Sequence, residues 1–264
     1  MEQQELAAKL AEAEQTIARL RQENSQIQEL DQLKNTFIAT ASHQLRTPLT
    51  QLKWVLSVFQ SDPEISKMTN QVKLIDQAFA GVDRIIDTVN DLVNASRIQN
   101  GRLPFSPQAV DAAKVINDII KRNLEVATSR DLRLEVNLQS IPATLPLDPI
   151  LFQEAIENLV SNALDYAKAG TIIHVNAQTT QDTLEVSVEN SGIGISQAEV
   201  SKIGRPFFRG QEAIMSHPDG SGLGLYLVKA IAEAHNGHLE LVNTSPESTL
   251  FKIFIPISET KKEE

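Results

Sequence analysis

"FIATASHQLRTPLTQLKW", residues 37–54, places a histidine, a glutamine, an arginine and a Thr-Pro pair in a stretch whose apolar residues are spaced for a helix. Ile38, Leu45, Leu52 and Phe59, interleaved with Ala41, Leu49 and Leu56, form one stripe. It stops at "QSDPEIS", where Ser61, Asp62 and Pro63 mark a turn. At about 100° per residue, His43 lies about 140° from Ile38 and about 160° from Leu45, so it faces away from the stripe. Thr47, one turn on, lies near the same face, and Pro48 is expected to kink the helix near His43. An exposed imidazole, neutral at pH 7, has a lone pair on one nitrogen and can act as a nucleophile. It can equally be an ordinary surface histidine.

Upstream, residues 1–35 lack Gly and Pro. Leu6, Leu10, Ala13, Ile17, Leu20 and Ile27 recur in alternating steps of three and four, a coiled-coil seam, with Asn24 at a position where a buried Asn favours a dimer in fixed register. The bland alternative is a single solvated helix. Leu30, Leu33 and Phe37 continue in a shifted phase, as at a heptad break. Downstream, Val72, Ile75, Phe79, Val82, Ile86, Val89 and Val93 share one face of a second helix, and Trp54 is expected to pack within the bundle. Two antiparallel helices with one apolar stripe each are satisfied when two copies pair, giving a dimeric four-helix bundle over 36–100. "QNGRLPFSP" ends the second helix, and 101–107 reads as a linker.

The chain has 264 residues, enough for two modest domains, and a formal net charge of −10. That charge argues against a nucleic-acid partner held through phosphates. There are no cysteines, which excludes disulfides, thiolate metal sites and cysteine nucleophiles. No apolar run of about 18 residues is present to span a membrane. The polar start is not a signal peptide. A cytoplasmic setting is expected, with any membrane attachment made through segments absent here.

From residue 108 the texture changes. A helix over 109–127 leads to strand-like "LRLEVNL" and a second helix in "LDPILFQEAIENLVSNALDYA". "TIIHVNAQ" and "TLEVSVEN" alternate as strands. After a glycine-dotted loop come a helix at 222–236 and the strands "HLELVN" and "LFKIFIPI". This order predicts an α+β sandwich over 108–258, with helices on one face of a mixed sheet, and a solvated tail at 259–264.

"SHQLRTPL" resembles the phosphoacceptor box of the two-component sensor histidine kinases. "ENLVSNALDYA" (157–167) resembles their N box, "NSGIGI" (190–195) the first glycine box, "RPFFRG" the phenylalanine box and "GSGLGL" (220–225) the second glycine box. The segments stand in the family's order and together span roughly residues 35–257. The resemblance implies a dimerisation and phosphotransfer bundle followed by a gyrase- and MutL-type ATP-binding domain, with ATP and Mg²⁺ as cofactors. Its implied partners are a second copy of the chain and the receiver domain of a response regulator.

On this resemblance His43 attacks the γ-phosphate of ATP and passes the phosphoryl group to a receiver aspartate. Gln44 stands where the family commonly has an acid; it can hydrogen-bond the ring but cannot take its proton at neutral pH. Arg46 flanks the acceptor. Thr47 matches the position linked to dephosphorylation of the partner. Asn162 is the implied Mg²⁺ ligand through its carboxamide oxygen, with Asn158 beside metal or phosphate; read without the family, both are helix-surface residues. Tyr166 is implied to lie beside the nucleotide.

Asp165 replaces a common lysine and is expected to repel phosphate unless it turns outward. Asn190 replaces the aspartate that meets the adenine amino group, at a cost of roughly ten- to a hundredfold in nucleotide affinity. Gly192 and Gly194 are implied to let a ligand approach, or else form a turn. Gly220, Gly222, Leu223 and Gly224 open a helix whose amides suit an anion, or form a plain loop. Phe207 and Phe208 are expected to anchor a lid, roughly 205–221, in apolar packing. Gly204, in place of the family's first phenylalanine, loosens that anchor. Arg209 either reaches the phosphates or is solvated. The competing function is a degenerate kinase kept as a phosphatase or scaffold.

Overall fold

The computed structural model describes residues 49–59, 69–99, 103–218 and 220–257, together with Ile17, Ile38 and Leu45 as single helical positions. His43, Gln44, Arg46, Thr47, the tail at 259–264 and the coiled-coil expectation apart from Ile17 lie outside the described residues. The chain divides into two compact units, Met1–Arg97 and Ile98–Glu264.

In the first unit, helix α1 includes residues 49–59 and helix α2 runs Thr69–Gln99. Val82 and Val89 of α2 are buried, and Val72, Ile75, Phe79, Ile86 and Val93 are half-buried, whereas Leu74 and Ile85 face solvent. The apolar face is the one the 3.6-residue period selects. Lys53 of α1 pairs with Asp83 of α2 at 2.5 Å. Leu52, Val55 and Phe59 of α1 stay exposed in the single chain. Trp54, expected to pack within the paired bundle, is 68% exposed in the single chain. It lies about 160° around the helix from Leu52, opposite the apolar stripe.

The second unit is a layered α+β fold. Strand β1 (Gln108–Val110) and β3 (Leu145–Leu147) form a small antiparallel pair. β2 (Arg133–Gln139), β4 (Ile172–Thr180), β5 (Thr183–Asn190), β6 (His238–Ser245) and β7 (Ser248–Pro256) form a sheet of order β2-β4-β5-β7-β6. β2 and β4 are parallel and the remaining pairs antiparallel. One face alternates inward through Ile173, Val175, Leu184, Val186, Val188, Phe251, Ile253 and Ile255, all buried. Helices α3 (Ala112–Ser129), α4 (Pro149–Tyr166) and α6 (Gly224–Ala234) cover it. Ile116, Phe152, Ile156, Leu159 and Ile231 fill the space between the layers.

The polar face carries Glu185, which pairs with Lys252 at 2.7 Å, and His174, which stands 3.5 Å from Glu135. Residues 103–107 are held by the second unit. Leu103 packs on its core, and the Phe105 ring meets His235 edge-on. The Ser106 N–H donates to Asp148 at 2.8 Å.

Candidate nucleotide site

The site is built where α4, the end of β5 and the start of α6 meet. Asp148 caps α4, its Oδ1 accepting from the N–H groups of Ile150 and Leu151, and Pro149 occupies the first turn. Ile156, Leu159 and Ala163 then point into the core as expected, which leaves Asn158 and Asn162 half-buried on another face.

Asn158 donates from Nδ2 to the Glu154 carbonyl at 2.9 Å. Its Oδ1 lies 2.7 Å from where a Cβ on Gly224 would sit, so an added methyl there would have to push the amide aside. The Asn162 carboxamide is hydrogen-bonded to no other described residue. No group of three His, Cys, Asp or Glu side chains suited to a metal occurs among the described residues. A neutral amide oxygen such as that of Asn162 is of a kind that could hold a hydrated Mg²⁺ ion.

At the C-terminal end of α4, Arg130 donates to the Leu164 carbonyl at 3.0 Å and to Asp165 at 2.8 Å. The negative charge of Asp165 is thereby turned toward Arg130, with His217 of the lid 3.9 Å away.

Asn190 ends β5 and is only 4% exposed, and none of the described residues is hydrogen-bonded to its carboxamide. Its Nδ2 stands 3.0 Å from the Cβ position of Gly192. The crowding at Gly192 comes from the chain itself: a Cβ there would lie 1.8 Å from the backbone oxygen of Tyr166. Gly192 also donates to Pro246 at 2.8 Å and bridges Ala167. Gly194 has φ +71 and is pressed against Thr244 and Pro246. In this arrangement the space a Cβ would take at either glycine is filled by the chain's own backbone, as in the turn reading.

The second glycine box leads into α6 from Leu223, and no side chain caps that helix. Leu223 is buried and its N–H donates to Ser221 Oγ at 3.2 Å, so its part in the site is to seat the helix. The first-turn amides of an uncapped helix, with its dipole, suit phosphate. Tyr226 in that turn has its phenol pushed up by burial and by Glu233.

The lid runs past a 3-10 turn (Val200–Lys202) and helix α5 (Gln211–Ser216). Glu199 accepts from Ser196 Oγ and the Gln211 N–H, which holds its carboxyl below the ordinary value. Phe207 does not anchor the lid: it is 60% exposed with φ 63. Phe208 is half-buried under Lys202 Nζ, 5.8 Å above its ring. Arg209 is neither solvated nor free for phosphate, because its guanidinium donates to the carbonyls of Ala213, His217, Pro218 and Gly220. Its role could not be read from sequence, since carbonyl acceptors leave no residue signature.

Residues 147–259 match the histidine kinase-, DNA gyrase B- and HSP90-like ATPase family, and residues 33–101 match the His Kinase A phospho-acceptor domain. The chain belongs to the two-component sensor histidine kinases. The chain is 26% identical over 227 residues to the alginate biosynthesis sensor protein KinB of Pseudomonas aeruginosa, covering 86% of this chain and 38% of the relative. It is 27% identical over 228 residues to the sensor-like histidine kinase SenX3 of Mycobacterium tuberculosis, covering 86% and 55%. The chain therefore spans about two-fifths to just over half of these relatives. The fold of the kinase is also that of ShkA, solved full-length in complex with AMPPNP (TM-score 0.67, 19% identity, 84% of this chain and 45% of that one). It is likewise that of the Acinetobacter baumannii histidine kinase AdeS (TM-score 0.58, 21% identity, 82% and 98%).

Proposed function

We propose that the kinase binds ATP with Mg²⁺ in its second unit, phosphorylates its own His43, and passes the phosphoryl group to an aspartate on a response-regulator receiver domain. A homodimer is the working form. The observation that carries this reading is the presence, in one chain, of a phosphoacceptor domain containing His43 and an ATPase domain containing the Asn158–Gly224 junction. Mg²⁺ supplies charge neutralisation on the phosphates when bound.

The chain's own residues do the positioning. Asn162 and Asn158 present amide oxygens, and the start of α6 presents N–H groups to anionic oxygens. Asn190 offers its carboxamide to the base. The imidazole of His43 supplies the lone pair for in-line attack, and water or Gln44 receives the ring's hydrogen bond.

The second reading, a degenerate kinase acting as a receiver phosphatase or scaffold, draws on the residues at three family positions: Gln44 and Asn190, each neutral where the family commonly has an acid, and Asp165 in place of a common lysine. Incubation with γ-labelled ATP and Mg²⁺, followed by mapping of acid-labile phosphate, separates the two. Label on His43, lost in His43→Gln, is the expected result. No label, together with continued dephosphorylation of a phosphorylated receiver through Thr47, favours the degenerate reading.

A further inference from the structure

Arg209 has five N–H donors, and four lie on carbonyls of the segment that follows it. Nη1 donates to Pro218 at 2.7 Å and to Gly220 at 3.0 Å; Nη2 donates to Ala213 at 2.9 Å and, closer still, to His217. Nε is buried and meets no acceptor. A guanidinium so occupied has no edge left for bidentate contact with a phosphate.

The acceptors start in α5 and end at the first glycine of the second box, so one side chain closes the whole loop. That glycine and the next are shaped around it. A Cβ on Gly220 would stand 3.1 Å from the Arg209 guanidinium. One on Gly222 would stand 3.0 Å from Arg209 Cγ and 2.9 Å from the Phe207 backbone.

We infer that Arg209 is a positioning residue: it fixes the second glycine box before nucleotide arrives, through the lid carbonyls and not through contact with the nucleotide. The inference rests on the nucleotide site proposed above. Lysine cannot do the same work, because an ammonium is a compact point donor and not a planar fork that spans four carbonyls.

The test uses the whole chain. Hydrogen exchange of the nucleotide-free protein is followed over residues 211–224 in the parent, Arg209→Lys and Arg209→Ala. Exchange is expected to speed up by about tenfold or more in both variants, with the sheet unchanged. ADP and ATP affinities are expected to fall by a similar factor, about tenfold. The KM for ATP should rise while the rate at saturating ATP stays within about threefold, since bound nucleotide then orders the loop.

Gly220→Ala supplies an independent arm. It should speed exchange beside the native Arg209, yet change it less than twofold in an Arg209→Ala background. Unchanged exchange in the nucleotide-free protein, a loss confined to ATP with ADP untouched, or independent additivity of the two substitutions overturns the inference. If the parent binds no adenine nucleotide, the site reading fails on its own, and the exchange measurements still decide what Arg209 does.

Discussion

Replacing Gly192 by alanine tests whether this glycine is demanded by the chain's own backbone. The new Cβ would sit 1.8 Å from the Tyr166 oxygen and 2.8 Å from its carbonyl carbon. Neither neighbour is the end of a flexible side chain, so the C-terminus of α4 and the end of β5 must separate. Opening 1.8 Å to even 3.0 Å moves one backbone by about 1.2 Å in a close-packed interior. Overpacking of this kind costs about 1–3 kcal/mol. The shift also pulls on the Gly192 N–H bond to Pro246 and the Lys168 N–H bond to Ser191, both 2.8 Å and each contributing about 1 kcal/mol net.

The expected total is about 3–5 kcal/mol, which lowers the melting temperature of a unit this size by roughly 10 °C. Calorimetry on the full chain reads it, with Gly81→Ala as the matched control. Gly81 lies inside α2 with nothing within 4 Å of an added Cβ, so that change should stabilise by about 0.5–1 kcal/mol. A Gly192→Ala melt within 2 °C of the parent would refute the reasoning from close approach.

Asn190→Asp should strengthen ATP binding by roughly tenfold in titration calorimetry. It should also destabilise the nucleotide-free protein, because the same 4% exposed position would then hold an unpaired charge. His235 is buried. Its Nε2 accepts from the Asp148 N–H at 3.0 Å and its Nδ1 faces the Ile231 carbonyl at 2.8 Å, which fixes a neutral ring protonated at Nδ1. Burial lowers its pKa below the ordinary 6.5, against the backbone bond to Ile231 and the charge of Asp148. Above pH 6.5 both the folded and the unfolded ring are neutral. As pH falls below that value the unfolded chain takes the proton first, and stability drops by up to about 1.4 kcal/mol per pH unit. Denaturant unfolding between pH 7.5 and 5 should show this slope reduced in His235→Gln.

Much of the fold is legible because it rests on period. The alternation in "TLEVSVEN" marks Thr183–Asn190 to the residue, and the 3.6-residue stripe of α2 includes the buried Val82 and Val89, although it does not name the buried Ala95 and Ser96. The three-residue strands β1 and β3 are too short to alternate, so the sequence pattern extends the helix back to 109 over Ala109 and Val110, whereas it begins at Ala112 behind the Asp111 cap. α5 was hidden in the lid for the same reason, with six residues and no buried face. At the glycine boxes, the sequence does not reveal which neighbours crowd each glycine. Gly192, Gly194 and Gly224 are glycines, but what crowds them is Tyr166, the β6–β7 turn and Asn158. The phenylalanine-box resemblance predicts Phe207 as an apolar anchor of the lid. Its left-handed backbone turns it to solvent.

Among the departures from the family pattern, Asp165, Asn190 and Gln44 do not weigh equally on whether the chain is an active kinase. Asp165 looked hostile to phosphate, yet Arg130 neutralises it at 2.8 Å while also binding the end of its helix. A carboxylate already paired projects little charge into a site bounded by water, so it says little against nucleotide binding. Asn190 has no such ion pair among the described residues, and on the proposed reading its cost would fall on affinity. Gln44 bears instead on where the imidazole proton goes, a matter of rate. The degenerate reading therefore depends on two positions acting on separable steps. An Asn190→Asp variant that tightens ATP without speeding labelling of His43, beside a Gln44→Glu variant that speeds labelling without tightening ATP, would describe a slowed kinase. If neither change brings label to His43, the defect is not in these two residues, and the scaffold reading gains.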